Sequence, residues 1–187
     1  MRRRELLLGL VAGPASITAI AGESAVRRKL NRLEADEAPA GWLTFSLKEV
    51  NALAAEEIVK QGLAGVRQPN VVLGRNTAIA SARVDFAKAR EGAIGEEPGP
   101  LSRLLLGGEK DVSVEASFRS GAGMCQIDLR RAVINGLEIQ GRLLDWLVEN
   151  YLLPVYPLAR VGKPFEIGYH VEQIEITPSR VRVRIVR

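Results

Sequence analysis

Strict alternation of apolar and polar residues in two parts of the chain constrains its fold more than any other feature. In residues 111–118 every second side chain is apolar, and the side chains between them are serine or glutamate. Residues 77–88 repeat the pattern, with an apolar face of Ala80, Ala82, Val84 and Phe86. A period of two residues is typical of strands that have one face on the core and the other in water. The pattern therefore predicts an antiparallel sheet.

Turn residues separate further stretches of strand character. Asn135-Gly136 is a strong signal for a two-residue hairpin, and Gly74-Arg75-Asn76 and Thr177-Pro178-Ser179 are also typical of turns. Together with the alternation, these signals predict strands at 42–45, 69–73, 77–88, 111–118, 124–134, 137–140, 165–176 and 180–186.

A helix is predicted to begin after Ser46. The sequence Ser46-Leu47-Lys48-Glu49 is a capping box, in which the serine caps the first turn and Glu49 reaches back to it. An apolar stripe follows at spacings of three and four residues, and it consists of Leu47, Val50, Leu53, Ala54 and Ile58. Earlier in the chain, residues 24–38 carry three apolar residues at helical spacing among many charges, and we expect a solvated linker helix there.

The N-terminus has the pattern of an export signal. Three arginines, Arg2 to Arg4, precede an uncharged apolar stretch that ends in Ala19-Ile20-Ala21, a small-x-small pattern typical of a signal peptidase site. The stretch is short for a transmembrane helix, and Pro14 disfavours a helix centre. Residues 1–21 are therefore predicted to export the protein to the periplasm or cell envelope. An uncleaved membrane anchor and a buried N-terminal helix are the alternatives.

The rest of the chain is expected to form one domain. The full sequence of 187 residues, 47% hydrophobic and 26% charged, is typical of a single globular domain. Pro39-Ala40-Gly41 separates a helical or linker segment, residues 22–41, from a single α+β domain, residues 42–187. Removal of residues 1–21 lowers the net charge from +4 to about +2, and only 5% of residues are aromatic. This composition argues against nucleic-acid binding.

The sequence carries no recognised catalytic or metal-binding motif. One cysteine, Cys125, and one histidine, His170, exclude an internal disulfide and a cysteine-rich or multi-histidine metal site. No G-x-S-x-G, S-x-x-K, P-loop or G-x-G-x-x-G motif is present. Cys125 as nucleophile with His170 as base is the remaining possibility for thiol chemistry. A lone cysteine on a strand, however, is more often a small buried hydrophobe. We therefore expect a non-enzymatic protein without a cofactor.

The segment Leu143–Leu158 is unusually apolar. Eleven of its 16 residues are apolar or aromatic, and Pro154 limits a helix to about Leu153. A surface helix needs an apolar stripe only about 100° wide, whereas this segment is apolar over most of its circumference. It is therefore either buried against the sheet or lines a groove for an apolar ligand. Residues 90–108, rich in Gly, Pro and Glu, are predicted to be mainly loop, which is either mobile or covers another part of the protein.

The order of these features resembles a known family. The export signal, the helix opening Phe45-Ser46-Leu47-Lys48-Glu49-Val50-Asn51-Ala52-Leu53, the antiparallel strands, the Leu143–Leu158 helix and the final hairpin are similar to small bacterial envelope proteins of the LmeA-like phospholipid-binding kind. The resemblance covers roughly residues 42–187. It implies the tubular lipid-binding architecture of bactericidal/permeability-increasing proteins, with an apolar groove between a long curved sheet and a helix. It also implies lipid binding without a catalytic residue.

We therefore predict an α+β fold in which a curved antiparallel sheet of about six to eight strands is wrapped on two main helices. The expected function is to bind or shuttle a phospholipid or fatty acyl chain in a groove between sheet and helix. The predicted ligand wall consists of Leu53, Trp146, Leu147, Tyr151, Leu152 and Tyr156. A basic strand edge of Arg180, Arg182, Arg184 and Arg187 either meets anionic head groups or is a solvated face that opposes aggregation. An envelope scaffold protein without a ligand is the alternative function.

Overall fold

The computed structural model of the protein describes residues 24–63, 65–88, 107–153 and 161–186. It has an α+β fold with mostly antiparallel strands, which confirms the predicted α+β class and the predicted antiparallel pairing. The helices are α1 (Ala25–Glu34), α2 (Leu47–Lys60) and α3 (Gly141–Leu147). The strands are β1 (Gly41–Ser46), β2 (Val66–Leu73), β3 (Thr77–Asp85), β4 (Glu109–Gly121), β5 (Met124–Ile134), β6 (Leu137–Ile139), β7 (Phe165–Glu166), β8 (Val171–Thr177) and β9 (Arg180–Ile185).

The strands form two sheets rather than the one that was predicted. A six-stranded sheet has the order β2-β3-β4-β5-β6, with β7 also paired to β5, and a three-stranded sheet has the order β1-β9-β8. The second sheet exists because β1 pairs with the C-terminal hairpin, so that Phe45 lies opposite Val181. Local alternation predicts strands but carries no information about pairing between such distant parts of the chain.

Hydrogen bonds join the two sheets along β8. The Ile174 amide donates to Ser120 Oγ at 2.8 Å. The Gly123 amide donates to the Glu172 carbonyl at 2.9 Å, and the Asn76 amide donates to the Ile176 carbonyl at 3.0 Å. The three-stranded sheet is therefore hydrogen-bonded to one end of the six-stranded sheet, the end at which β4 turns into β5.

The predicted capping box is present at the start of α2. The Glu49 amide donates to Ser46 Oγ at 3.3 Å, and the Ser46 amide donates to the Glu49 carboxylate at 2.8 Å. Lys29 of α1 also donates to this carboxylate. These hydrogen bonds, first from Lys29 and then from Ser46, lower the pKa of Glu49 to about 2. The Glu49 carboxylate therefore caps the N-terminus of α2 and also links α1 to α2 through Lys29.

Helix α1 is packed, and the expectation of a solvated linker helix is wrong. Ser24 caps it by accepting from the Arg27 amide at 3.2 Å. Its apolar residues Val26, Leu30 and Leu33 are all buried. The Arg27 guanidinium donates to Glu56 of α2 at 3.2 Å. The apolar spacing that predicted the helix is thus a core-facing stripe, because α2 and the three-stranded sheet lie against it.

Two clusters of buried apolar residues hold the fold together. The larger, which we call the principal core, joins α1, α2, the three-stranded sheet and the start of β5. Its buried members include Val26, Leu30, Phe45, Leu53, Cys125, Ile127, Ile167, Val171, Val183 and Ile185. The smaller, the second core, is built on Phe86, Ala132, Ile134 and Ile139, with Leu144, Trp146 and Leu147 of α3 packed on them.

The helix predicted within Leu143–Leu158 is only partly α-helical. After α3, residues 148–152 continue as a π-helical turn, in which the Leu153 amide donates to the Val148 carbonyl at 2.9 Å. The Asn150 side chain donates to the Trp146 carbonyl at 2.8 Å. No residue of α3 is fully buried. The predicted export signal, residues 90–106 of the predicted loop and residues 154–158 of this segment lie outside the described residues.

Candidate functional site: the apolar face of the six-stranded sheet

The register of the six-stranded sheet places most of its apolar side chains on one face. Residues directly opposite each other in an antiparallel pair point to the same side of a sheet. Ala80 of β3 lies opposite both Val71 and Val114, and Val114 lies opposite Ala132. Extending this register defines the apolar face as Val71, Leu73, Ala78, Ala80, Ala82, Val84, Val112, Val114, Ala116, Phe118, Cys125, Ile127, Leu129, Ala132, Ile134, Leu137 and Ile139.

The two cores cover opposite ends of the apolar face. At the end where β4 turns into β5, Cys125 and Ile127 are buried in the principal core, with Phe118 packed against them. At the other end, Ala132 and Ile134 are buried in the second core under α3. We call these the α2 end and the α3 end. The apolar face therefore runs continuously from one core to the other.

Part of the apolar face between these ends belongs to neither core. This open strip consists of Val71, Ala78, Ala80, Ala82 and Leu129, none of which is among the described residues that form or pack on the two cores. Ala80 is exposed and the other four are half-buried. Since three of the five are alanines, the strip is apolar and its side chains are short, which leaves room above the sheet. The arrangement can hold an elongated apolar molecule against the sheet.

Asn51 fixes α2 beside the open strip. Its Nδ2 donates to the Val71 carbonyl at 2.9 Å, and its Oδ1 accepts from the Val71 amide at 2.7 Å. A single side-chain amide thus satisfies both backbone groups of Val71, as a neighbouring strand would. Sequence analysis did not assign Asn51 a role. The only signal was its place in the helix opening that carried the family resemblance.

The structure separates the residues of the predicted ligand wall. Leu53 is 8% exposed and belongs to the principal core. Trp146 and Leu147 are half-buried and pack on the second core, and Leu152 is half-buried in the π-helical turn. The side chain of Tyr151 and the whole of Tyr156 lie outside the described residues. The described members therefore do not form one wall, because Leu53 lies in a different core from Trp146.

The opposite, outer face of the six-stranded sheet carries the exposed apolar residues Val72 and Ile79 but is otherwise mostly polar, and its charges are paired across strands. Arg83 lies 3.2 Å from Asp111, Arg131 lies 3.1 Å from Glu115 and Arg119 lies 2.8 Å from Asp128. A depression of about 320 Å³ on this side is lined by residues that include Ser81, Arg83, Asp111 and Ser113. Charged Arg83 and Asp111 stand beside apolar Val112 and Val133 in this lining, so the depression is not uniformly apolar.

The predicted basic strand edge is not an edge, because β9 is the central strand of its sheet. Arg182 pairs with Glu175 and lies over the Trp42 ring at 4.6 Å. Arg184 lies 3.0 Å from the Glu172 carboxylate. Neighbouring acids therefore partly neutralise this face; Arg187 lies outside the described residues.

Cys125 is a poor nucleophile in this structure. It is 2% exposed, and burial raises its pKa to about 11. The thiolate, which is the reactive form, is therefore scarce at neutral pH. His170, the candidate base, is exposed in the turn before β8. In the part of the chain that the structure describes, no group of three or more His, Cys, Asp or Glu side chains is placed to hold a metal ion.

Comparisons with known proteins add no relative. No family model matches the sequence, and neither the curated proteins nor the solved structures gave a match. Within the described ranges, no helix combines the length and the apolar character needed to cross a membrane. The geometry of the apolar face is therefore the observation that bears most directly on function.

Proposed function

We propose that this chain binds the acyl chain of a lipid on the apolar face of its six-stranded sheet. The observation that carries the proposal is the open strip, an apolar surface that connects two cores and is covered by neither. Each methylene that leaves water for such a surface contributes about 0.8 kcal/mol, so ten of them contribute about 8 kcal/mol. Part of this gain offsets the entropy lost on binding. An acyl chain therefore needs no specific polar contact to bind here.

The finer architecture of the proposal is a groove. The six-stranded sheet would curve around α2 and α3, with α2 held at the β2 edge by Asn51 and α3 held by the second core. Helix α3 supports this arrangement because it is rich in apolar residues, yet none of them is fully buried. A bound acyl chain would cover the side of α3 that the protein leaves half-exposed.

The proposed role is non-enzymatic transport or storage outside the cytoplasm. The pattern in residues 1–21 supports export to the periplasm or cell envelope. The buried, protonated thiol of Cys125 favours binding over thiol chemistry. A protein that carries lipid across an aqueous space needs an apolar surface that is accessible for loading, and the open strip fits this need.

Mass spectrometry of an organic extract tests the proposal first. The full chain should be expressed in a bacterial host that exports it, then purified without detergent from the envelope fraction. We expect a lipid at close to one molecule per chain, or uptake of an added fluorescent fatty acid. A protein that is empty and also refuses the fatty acid would contradict lipid binding and would favour an envelope scaffold.

A matched pair of variants locates the site. Ala80→Trp places a large ring on the exposed part of the open strip, whereas Ile79→Trp places the same ring on the outer face one residue away. Ile79 is itself 38% exposed, so its replacement leaves the core intact. We expect Ala80→Trp to weaken fatty-acid binding at least tenfold and Ile79→Trp to leave it unchanged. Equal effects of the two variants would place the lipid elsewhere.

A further inference from the structure

Lys110 is the one charged side chain that the strand register places on the apolar face. It lies opposite Val84 on β3 and precedes Val112 by two residues, so all three point to the same side. Its neighbours Glu109 and Asp111 point to the outer face, where they lie 3.7 Å from Arg67 and 3.2 Å from Arg83, respectively. Lys110 is therefore separated from the paired charges of the outer face.

The ammonium group of Lys110 has no ion pair or hydrogen bond among the described residues, although the residue is half-buried. The nearest acids along the chain are already engaged by arginines. A cation beside an apolar surface is costly to leave without a counter-charge, and an anion that brings its own apolar tail satisfies both the cation and the surface.

We propose, resting on the proposed function, that Lys110 binds the anionic head of the lipid. The head is a carboxylate of a fatty acid or a phosphate of a phospholipid, since both present an oxygen anion to the ammonium group. The ligand then has one orientation. Its head lies at the α3 end of the apolar face, and its chain runs along the open strip toward the α2 end.

Exposed leucines at the same end support this orientation. Leu137 is 64% exposed and Leu143 is 39% exposed. Leu137 lies on the apolar face opposite Ile134, and the turn before it is tied to β4 because the Asp111 amide donates to Asn135 Oδ1 at 2.8 Å. Exposed apolar side chains beside a cation are typical of a surface that meets a layer of anionic lipid. A lipid therefore enters at the α3 end with its acyl chain first, and its head stays at that end.

Paired ligands and variants test the inference. The probes are a fluorescent fatty acid and the fluorescent alcohol with the same chain, which lacks the anion. Lys110→Gln keeps a polar side chain but removes the charge, and Lys110→Arg restores it. Lys88→Gln is the control, since Lys88 is 59% exposed, pairs with Asp85 and follows β3 at the same end of the sheet. All variants are measured in the full exported chain.

We expect Lys110→Gln to weaken fatty-acid binding about tenfold and to leave the alcohol unchanged, with Lys110→Arg close to the original protein. Lys88→Gln should change neither. Equal losses for acid and alcohol would overturn the headgroup assignment while lipid binding stands. Failure of the original protein to bind either probe would instead overturn the proposed function.

A second measurement shows whether the bound anion is the carboxylate of a fatty acid or the phosphate of a phospholipid. The same variants are titrated with vesicles that contain a fluorescent anionic phospholipid. A tenfold loss with the phospholipid but not with the fatty acid identifies the phosphate as the group that Lys110 binds. The reverse result identifies the carboxylate. Either result supports an anionic head at Lys110, whereas equal binding of both anions by Lys110→Gln and the original protein would contradict it.

Discussion

Replacement of Asn51 by alanine tests the link between α2 and the edge of the six-stranded sheet. The helix opening comprises residues 45–53. Within the described parts of the chain, Asn51 is its only residue whose side chain forms hydrogen bonds with the backbone of the six-stranded sheet. Asn51→Ala removes the donor to the Val71 carbonyl and the acceptor for the Val71 amide. Water can reach both groups in part, because Val71 is half-buried.

The expected loss of stability follows from these two bonds. Each contributes about 1 kcal/mol net, so their removal costs about 2 kcal/mol. Alanine is the better helix former by about 0.5 kcal/mol, which offsets part of the loss. We therefore expect the free energy of unfolding to fall by about 1.5 kcal/mol. Asn51→Asp keeps the acceptor but sets a negative charge beside the Val71 carbonyl. Its free energy of unfolding should fall by at least as much as that of Asn51→Ala.

Urea unfolding of lipid-free protein, followed by circular dichroism, measures the change. Lipid must be removed because a ligand that binds only the folded state raises the apparent stability. Lys48→Ala is the control, since Lys48 is exposed on the same helix and its loss should change the free energy by less than about 0.5 kcal/mol. If Asn51→Ala proves as stable as Lys48→Ala, then the amide does not hold α2 to β2 and the reasoning fails.

Two further substitutions test the core and the cap. Leu53→Ala should lower the free energy of unfolding by about 3 kcal/mol, because Leu53 is 8% exposed in the principal core; a loss below about 1 kcal/mol in urea unfolding would contradict this placement. Glu49→Gln should cost about 1 kcal/mol at pH 7, since the cap and the ion pair with Lys29 are partly exposed. The lowered pKa of Glu49 means that its stabilisation is complete above pH 4.5 and is lost as the pH falls toward 2. Unfolding at pH 7 and pH 3 should therefore show a smaller difference for Glu49→Gln than for the original protein, and an equal difference would contradict the assignment.

Local signals predicted most of the secondary structure. The capping box places the start of α2 at Leu47, and Asn135-Gly136 forms the turn between β5 and β6 with positive φ at both residues. Both features depend on a few neighbouring residues, so sequence contains them completely. Strand ends were less well predicted. The continuous strand expected at 165–176 is broken into β7 and β8 by a turn in which Gly168, Tyr169 and His170 all have positive φ.

Long-range pairing could not be read from the sequence. Nothing in residues 41–46 shows that β1 pairs with β9, or that α1 lies against α2 and the three-stranded sheet. The described members of the predicted ligand wall lie apart for the same reason. Apolar spacing identified Leu53 and Trp146 as buried or ligand-facing, but only the tertiary arrangement assigns them to different cores.

The sizes of the side chains on the apolar face support the site that the structure reveals instead. Where a core covers the face, most of its residues are large, as with Phe118, Ile127 and Ile134, although Ala116 and Ala132 are small. In the open strip three of five are alanines, and the most exposed position is Ala80. A large exposed apolar patch promotes aggregation when it is empty. Alanine limits the area at risk and leaves depth for a chain to lie against the sheet. A face that binds and releases a lipid would need both a small exposed apolar area and room for the acyl chain. A face permanently covered by protein would instead gain from larger residues that fill the space.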